Sequence, residues 1–407
     1  MITSEETTST KNGDTMKVYE KKDVSNLVRE YYGSIEFDIP DIQRREIAFQ
    51  NWKEVGIRDR HRYFQTNEDL KHYLTQIPKA AAFHSVGYYL DPIEREFAKK
   101  SLQGFDFIFD IDADNLTGKG YVEKLGDLCM MAKRLIDNFL VEHFGIPKED
   151  IRIEFSGRKG LHLTILGDQY RYLSKTARRE LVEYIEGTKL DRTILFPEKK
   201  GYILSEPNSK GWRGEGRSFV EDLLKATEGK DAKQNEEILQ EHKLPKVQSK
   251  KISALLTQPR IRQTVLEGRL SPLMGKGAVT LNSLSGAVMK KHGIGLGSVI
   301  ANMKKKKTRY EFDGKIIDRA VTYDAHRILR IPKSIHPKSG FPCITISYEQ
   351  LSDPLEIFDE ISKLVGHDLI TIKLAKPVYL EADEILDLEA GEHLLPRYLG
   401  LAALIQS

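Results

Sequence analysis

Three short clusters in this 407-residue chain carry side chains whose types and spacing could do chemistry. The first is Phe105-Asp106-Phe107-Ile108-Phe109-Asp110-Ile111-Asp112, which reads as a β-strand. Alternation sends the three phenylalanines and Ile111 to one face, and Asp106, Ile108, Asp110 and Asp112 to the other. Asp110 and Asp112 then point the same way from Cα atoms about 7 Å apart. Carboxylates that close raise each other's pKa unless a cation lies between them. Two hard oxygen ligands on one strand suit Mg²⁺ or Mn²⁺, which take carboxylates, water and substrate phosphate. In two-metal phosphoryl transfer the ions lie about 3.5–4 Å apart, a span this pair can bridge with a third carboxylate from elsewhere. The same spacing also describes solvated acids ahead of a turn at Ala113-Asp114-Asn115.

The second cluster, Ser156-Gly157-Arg158-Lys159-Gly160, interrupts the alternating runs Ile151–Phe155 and Leu161–Ile165. Its glycines let the backbone turn with N–H groups presented inward, and one hydroxyl with two cations adds affinity for an anion. His162 shares a strand face with Thr164 and can reach back toward the loop's contents. An ordinary hairpin with exposed cations competes with this reading. The loop is not a Walker A motif, since no Gly-Lys pair precedes Ser or Thr at the required place. The third cluster runs from Asp318 to Pro337. Here Asp324 is placed to cap a short helix that Pro332 ends, with Arg327 and Arg330 on one face of it.

The elements that must position these residues follow from periodicity. Lys17–Tyr32 reads as a helix, His61–Phe64 as a strand, Asn67–Gln76 as a helix capped by Asn67, and Ala80–Tyr89 as a strand. A long helix over Tyr121–Phe144 links the acidic strand to Ile151–Phe155, a βαβ pattern in which those two strands lie parallel. Arg171–Glu186 is helical, Trp212–Gly216 reads as a loop, and Phe219–Leu224 starts another helix. Lys225–Lys251 reads as a flexible connection, and Ile252–Lys307 as short amphipathic helices. Strand character returns at Thr308–Phe312, with Asp313-Gly314 as a hairpin turn, then at Cys343–Tyr348 and Leu369–Leu374, before a helical Pro396–Ile405. Residues 1–16 read as a disordered tail. Residues 17–168 and 308–407 form one mixed α/β core, and 169–307 an inserted helical, basic subdomain.

Hydrophobic content of 40% and charged content of 30% fit a globular protein, and no stretch approaches the length of a membrane span. With Cys129 and Cys343 as the only cysteines, neither a disulfide framework nor a four-cysteine zinc site can form. The expected compartment is reducing and cytoplasmic. The net charge of +3 averages two unlike regions. His242–Tyr310 holds 15 Lys and Arg against the single acid Glu267, +14 in 69 residues, which leaves −11 for the other 338. Such asymmetry is the footprint of a polyanion-binding segment, of which Lys304, Lys305, Lys306 and Lys307 are the densest run.

In order and local spacing the three clusters resemble the catalytic small subunit of the archaeal and eukaryotic DNA primases, most closely the archaeal form. The resemblance extends over most of the chain and includes Arg45-Glu46-Ile47-Ala48-Phe49, the Asp318–His336 block and Leu395-Pro396-Arg397-Tyr398. It implies a primase-type catalytic core around a mixed sheet with an inserted small helical subdomain. Asp110, Asp112 and Asp318 would hold two divalent ions, Mg²⁺ or Mn²⁺. Ser156, Arg158, Lys159, His162, Arg330 and His336 would bind the incoming nucleotide triphosphate. The implied activity is nucleotidyl transfer, a DNA-directed RNA polymerase making short RNA or DNA primers from NTPs or dNTPs on single-stranded DNA. The implied partner is a large primase subunit carrying an iron–sulfur cluster. Primases of this family often carry a zinc knuckle after the acidic strand. Leu116–Met131 offers only Cys129, so structural zinc is expected to be absent. Two other readings compete: an end-joining repair polymerase of the same superfamily, and a non-catalytic DNA-binding subunit resting on the basic segment alone.

Overall fold

The computed structural model describes residues 8–9, 15–16, 21–52, 54, 56–112, 121–187, 190–199, 201–274, 279–292, 300–303, 306–309, 317–337 and 339–365. Their fold is mixed α+β, and the chain divides into two compact units. The first comprises Met1–Ile108, Arg152–Leu173 and Asp324–Ser407; the second comprises Phe109–Ile151 and Ser174–Tyr323. The 169–307 segment thus makes up most, but not all, of the second unit. The expected turns at 113–115 and 313–314, strand at 369–374 and helix at 396–405 lie outside the described residues, as do 395–398. No helix among the described residues is long and apolar enough to cross a membrane.

The first unit holds a four-stranded sheet in the order Ile328–Arg330, Ala81–Ser85, Ile47–Gln50, Asp59–Arg62, each pairing antiparallel. Its central strand Ala81–Ser85 is buried on both faces. A second four-stranded sheet runs in the order Ile344–Ile346, Ile151–Phe155, Gly160–Ile165, Phe107–Asp112. Gly160–Ile165 therefore lies between the two strands expected to be parallel. Phe107–Asp112 is the acidic strand, and the chain passes along it from the first unit into the second at Phe109.

Several local expectations change where long-range packing outweighs local propensity. The Asp324–Pro332 segment is not a helix. Ile328–Arg330 is an edge strand, with Leu329 opposite His84, because the edge of Ala81–Ser85 offers backbone partners a short isolated helix lacks. Asp324 instead caps a turn, accepting the His326 N–H at 3.1 Å. Thr66, not Asn67, caps the Asn67–Gln76 helix through a capping box with Asp69. The Asn67 side chain accepts from the Ile39 N–H at 3.1 Å.

The second unit is mainly helical. Trp212–Gly216 is the first part of one continuous helix, Gly211–Ala226, not a loop. Trp212 is 1% exposed, and a Cβ on Gly216 would meet the Leu195 carbonyl at 2.9 Å. Burial and close backbone approach outweigh the low helix propensity of glycine. The stretch read as flexible, Lys225–Lys251, forms the helix Ala232–Glu241 and most of the helix Lys246–Ser253. Leu239, Ile252 and Leu256 pack with Val220 and Leu223 in the core of this unit. The helix from Tyr121 is α-helical to Arg134 and becomes a π-helix over Leu135–His143, where Phe144 N–H bonds the Phe139 carbonyl at 2.9 Å. Phe139 packs on Trp212 with ring centroids 5.7 Å apart.

Candidate active site

The acidic strand starts at Phe107, two residues later than alternation alone suggests. Asp106 sits in the break between Leu102–Phe105 and this strand and is a structural acid. The Arg45 guanidinium, 1% exposed, donates to both of its oxygens at 2.7 and 3.2 Å, and the Tyr88 hydroxyl donates at 2.6 Å. Burial would raise the Asp106 pKa, but the Arg45 charge and these hydrogen bonds outweigh it and hold the carboxyl below its ordinary value.

Past Asp106 the strand carries Phe109 and Ile111 fully buried, with Asp110 and Asp112 half-buried at its end. Two residues apart on one strand, both carboxylates share a face. Asp318 comes to this strand from far along the chain. Its N–H donates to the Asp110 carbonyl at 2.9 Å, and Ile317 forms an antiparallel bridge with Ile111. Asp318 is exposed, and its carboxylate accepts from the Ala320 N–H at 2.9 Å as the cap of the Arg319–Tyr323 helix. All three belong to the second unit. Three carboxylates are the donor set a hard divalent ion takes, so the residues fit Mg²⁺ or Mn²⁺ by chemistry. They are not drawn together as a closed cluster: among the described residues, no group of three or more His, Cys, Asp or Glu converges on one point.

The nucleotide-binding candidates lie in the first unit, and the structure brings two of their segments together. Ser156 and Gly160 close the loop, with Ser156 N–H to the Gly160 carbonyl at 2.9 Å and Gly160 N–H to Ser156 Oγ at 3.0 Å. Gly157 has φ +86°, and a Cβ there would meet the Phe341 carbonyl at 2.8 Å and His336 Cβ at 3.1 Å. Only glycine allows this approach, so the loop is seated against His336 by the residue that gives it its turn. His336 is held in its own turn, donating to the Phe341 carbonyl and accepting from the Gly340 N–H, both at 2.8 Å. Arg158 and Lys159 are half-buried at the loop, and His162 is buried on the strand that follows.

Arg330 joins this segment by donating from Nη1 to the Ile335 carbonyl at 3.2 Å, with its guanidinium 4.9 Å from the Phe83 ring centroid. No carboxylate pairs with it among the described residues. Burial pulls its pKa down to about 10, yet it remains a cation at neutral pH. Half-buried and with its pKa lowered, this guanidinium gains from an anion that arrives beside it. Lys306 and Lys307 lie on a strand, Lys306–Arg309, paired antiparallel with Ile300–Met303, while Lys304 and Lys305 lie outside the described residues. Cys129 is buried on the Tyr121–Arg134 helix, and burial pushes its thiol up to about 12.

Sequence reasoning missed two groups around these clusters. One is the buried Arg45–Asp106–Tyr88 network; the other is the Arg178, Glu186 and Arg319 set that surrounds the helix after Asp318. Arg319 stands next to a candidate aspartate, but no local pattern points to a partner 133 residues away.

Comparison with known proteins identifies the family. Residues 109–348 match the family model described as DNA primase small subunit. The chain is similar to the DNA primase small subunit PriS of Methanocella arvoryzae, 30% identical over 87% of this chain and 88% of that protein. It is similar to the same-named protein of Thermoplasma volcanium, 26% identical over 92% and 93% of the two chains. The protein of that name from Methanothrix thermoacetophila is 28% identical over 92% and 94%. The family model's span begins within the acidic strand and covers more than half of the chain, so the chain belongs to the DNA primase small subunit family.

Proposed function

We propose that this chain is the catalytic subunit of a DNA primase, a nucleotidyltransferase that starts and extends short primers on single-stranded DNA. The observation that carries the reading is the bond from the Asp318 N–H to the Asp110 carbonyl, which brings the Asp318 backbone from far along the chain to the strand that carries Asp110 and Asp112. Asp110, Asp112 and Asp318 would hold two divalent ions, Mg²⁺ or Mn²⁺. When bound, such ions supply activation of the 3′ hydroxyl and stabilisation of the leaving pyrophosphate. Arg158 and Lys159 would donate to triphosphate oxygens, joined by Ser156, His162 and His336. Arg330 would contribute a positioned charge, since its half-buried guanidinium is held by the Ile335 carbonyl and the Phe83 ring. No nucleophilic side chain is required.

The basic stretch of the helical unit would bind template by charge. In support, Lys246, Lys250 and Lys251 are exposed on the Lys246–Ser253 helix, whose opposite side buries Ser249 and Ile252. We read 17–168 with 308–407 as the catalytic core and 169–307 as its inserted subdomain. A large primase subunit with an iron–sulfur cluster would complete the enzyme, as the family resemblance implies.

Incubation with unprimed single-stranded DNA and labelled NTPs or dNTPs tests the reading. Short products made without a primer are expected. Synthesis only on primed template would make the chain an extension polymerase, and template binding with no synthesis would make it a non-catalytic subunit.

A further inference from the structure

Asp318 is held from two sides, and the second has no part in the chemistry so far described. On one side stand its bond to Asp110 and the Ile111–Ile317 bridge. On the other is the Arg319–Tyr323 helix, five residues long, which is too short to be stable without tertiary support. That helix lies against Lys175–Ile185, and the two meet in reverse order. Arg319 opens the contact, with Nε donating to one Glu186 carboxylate oxygen at 2.8 Å and Nη2 donating to the other. Arg178, 0% exposed, donates to the Thr322 carbonyl at 3.4 Å near the helix end. Lys175 Nζ lies 5.8 Å from the Tyr323 ring centroid. The two-pronged pair fixes distance and orientation at once, and Glu186 is only 2% exposed. A buried ion pair adds little stability over apolar packing, whereas removing one partner leaves a buried charge uncompensated. Its contribution is therefore geometric, and the residue next in sequence is Asp318.

We propose that Glu186 and Arg319 are positioning residues that set Asp318 against Asp110 and so control the affinity of the aspartates for divalent ions. This rests on the metal-holding role proposed above. The full chain, without nucleotide, is titrated with Mn²⁺ while free ion is followed by electron paramagnetic resonance. Glu186→Gln and Arg319→Met should each weaken Mn²⁺ binding about tenfold, the low end for residues that orient ligands from outside. The number of sites and the template Kd should stay near wild type, while the melting temperature falls for Arg319→Met, which leaves the buried Glu186 carboxylate without its partner. In rate assays the Mn²⁺ half-saturation should rise while the nucleotide KM at saturating Mn²⁺ holds. The double variant should be no weaker than either single one, because each removes the same interaction. Should Glu186→Gln fail to fold, Arg319→Lys keeps the charge but loses the fork and should show a smaller weakening. Unchanged Mn²⁺ affinity in folded variants overturns the proposal. Wild-type protein that binds no Mn²⁺, or binds it as well after Asp318→Ala, overturns both the proposal and the metal role beneath it.

Discussion

Single residues differ here in how their charge is kept. Arg45 is buried and Arg330 half-buried, and Arg45 is matched by Asp106 while Arg330 faces an aromatic ring and a carbonyl. The first arrangement is a closed structural pair; the second leaves charge available to an anionic ligand. Arg158 and His162 belong to the same loop and strand, and under the proposed function they would lie beside phosphates whose charge grows as pyrophosphate leaves. Replacing either with Ala should raise the apparent KM for NTP and also lower kcat, since the interaction removed is one that strengthens in the transition state. Steady-state kinetics at saturating template checks this. An unchanged nucleotide dependence with weakened template binding would reassign the loop to the DNA backbone. The residue types at these positions were readable from the sequence. The role of Asp106 was not, because alternation cannot distinguish a strand residue from one in a break that pairs with a distant arginine.

At the scale of elements, the strands and the loop between them were legible because their patterns are local. Alternation marked Ile151–Phe155 and Gly160–Ile165, and two glycines marked the turn. Elements whose identity depends on partners were not. Ile328–Arg330 carries helix-like arginine spacing but becomes a strand because Ala81–Ser85 supplies backbone partners. That pairing strand also contains His84, with a testable consequence. Burial, then the nearby Arg45 charge, pulls the His84 pKa from 6.5 down to about 3. Between those values the unfolded chain takes up a proton that the folded chain refuses, so stability is full above pH 6.5 and falls as pH drops toward 3. His84→Gln should flatten the dependence of unfolding free energy on pH between about 6 and 4 by up to roughly 1.4 kcal/mol per pH unit. Denaturant melts at stepped pH measure this slope, and a variant as steep as wild type would show that His84 does not carry it. Below that range Asp106 and Glu46 are among the carboxyls that add acid sensitivity. Cationic partners hold both carboxyls below their ordinary pKa against the opposing effect of burial, so their contribution is lost only as pH falls through those lowered values.

Across the whole molecule, charge is segregated by region. The +14 of residues 242–310 was visible from composition, and the structure places part of it on exposed helix faces of the second unit. The division into units was harder to read, because Phe109–Ile151 joins the helical unit through contacts such as Phe139 with Trp212, not through sequence proximity. If the basic stretch binds template, neutralising Lys304, Lys305, Lys306 and Lys307 should flatten the slope of log Kd against log salt by up to roughly 0.7 for each phosphate no longer neutralised. Fluorescence anisotropy across a salt series checks it, and an unaltered slope would place the DNA footprint elsewhere.

Three aspartates acting as one catalytic group are the centre of the proposed mechanism, and the rate of primer synthesis after removing each tests that most directly. Asp110→Ala, Asp112→Ala and Asp318→Ala are compared with wild type on unprimed template, with the melting transition and template Kd recorded for the same preparations. Loss of a ligand to a catalytic ion costs several kcal/mol of barrier, so each rate should fall by at least about a hundredfold while fold and template binding persist. A folded variant of any of the three that keeps more than about a tenth of the wild-type rate, a barrier change of under roughly 1.4 kcal/mol, would contradict that role.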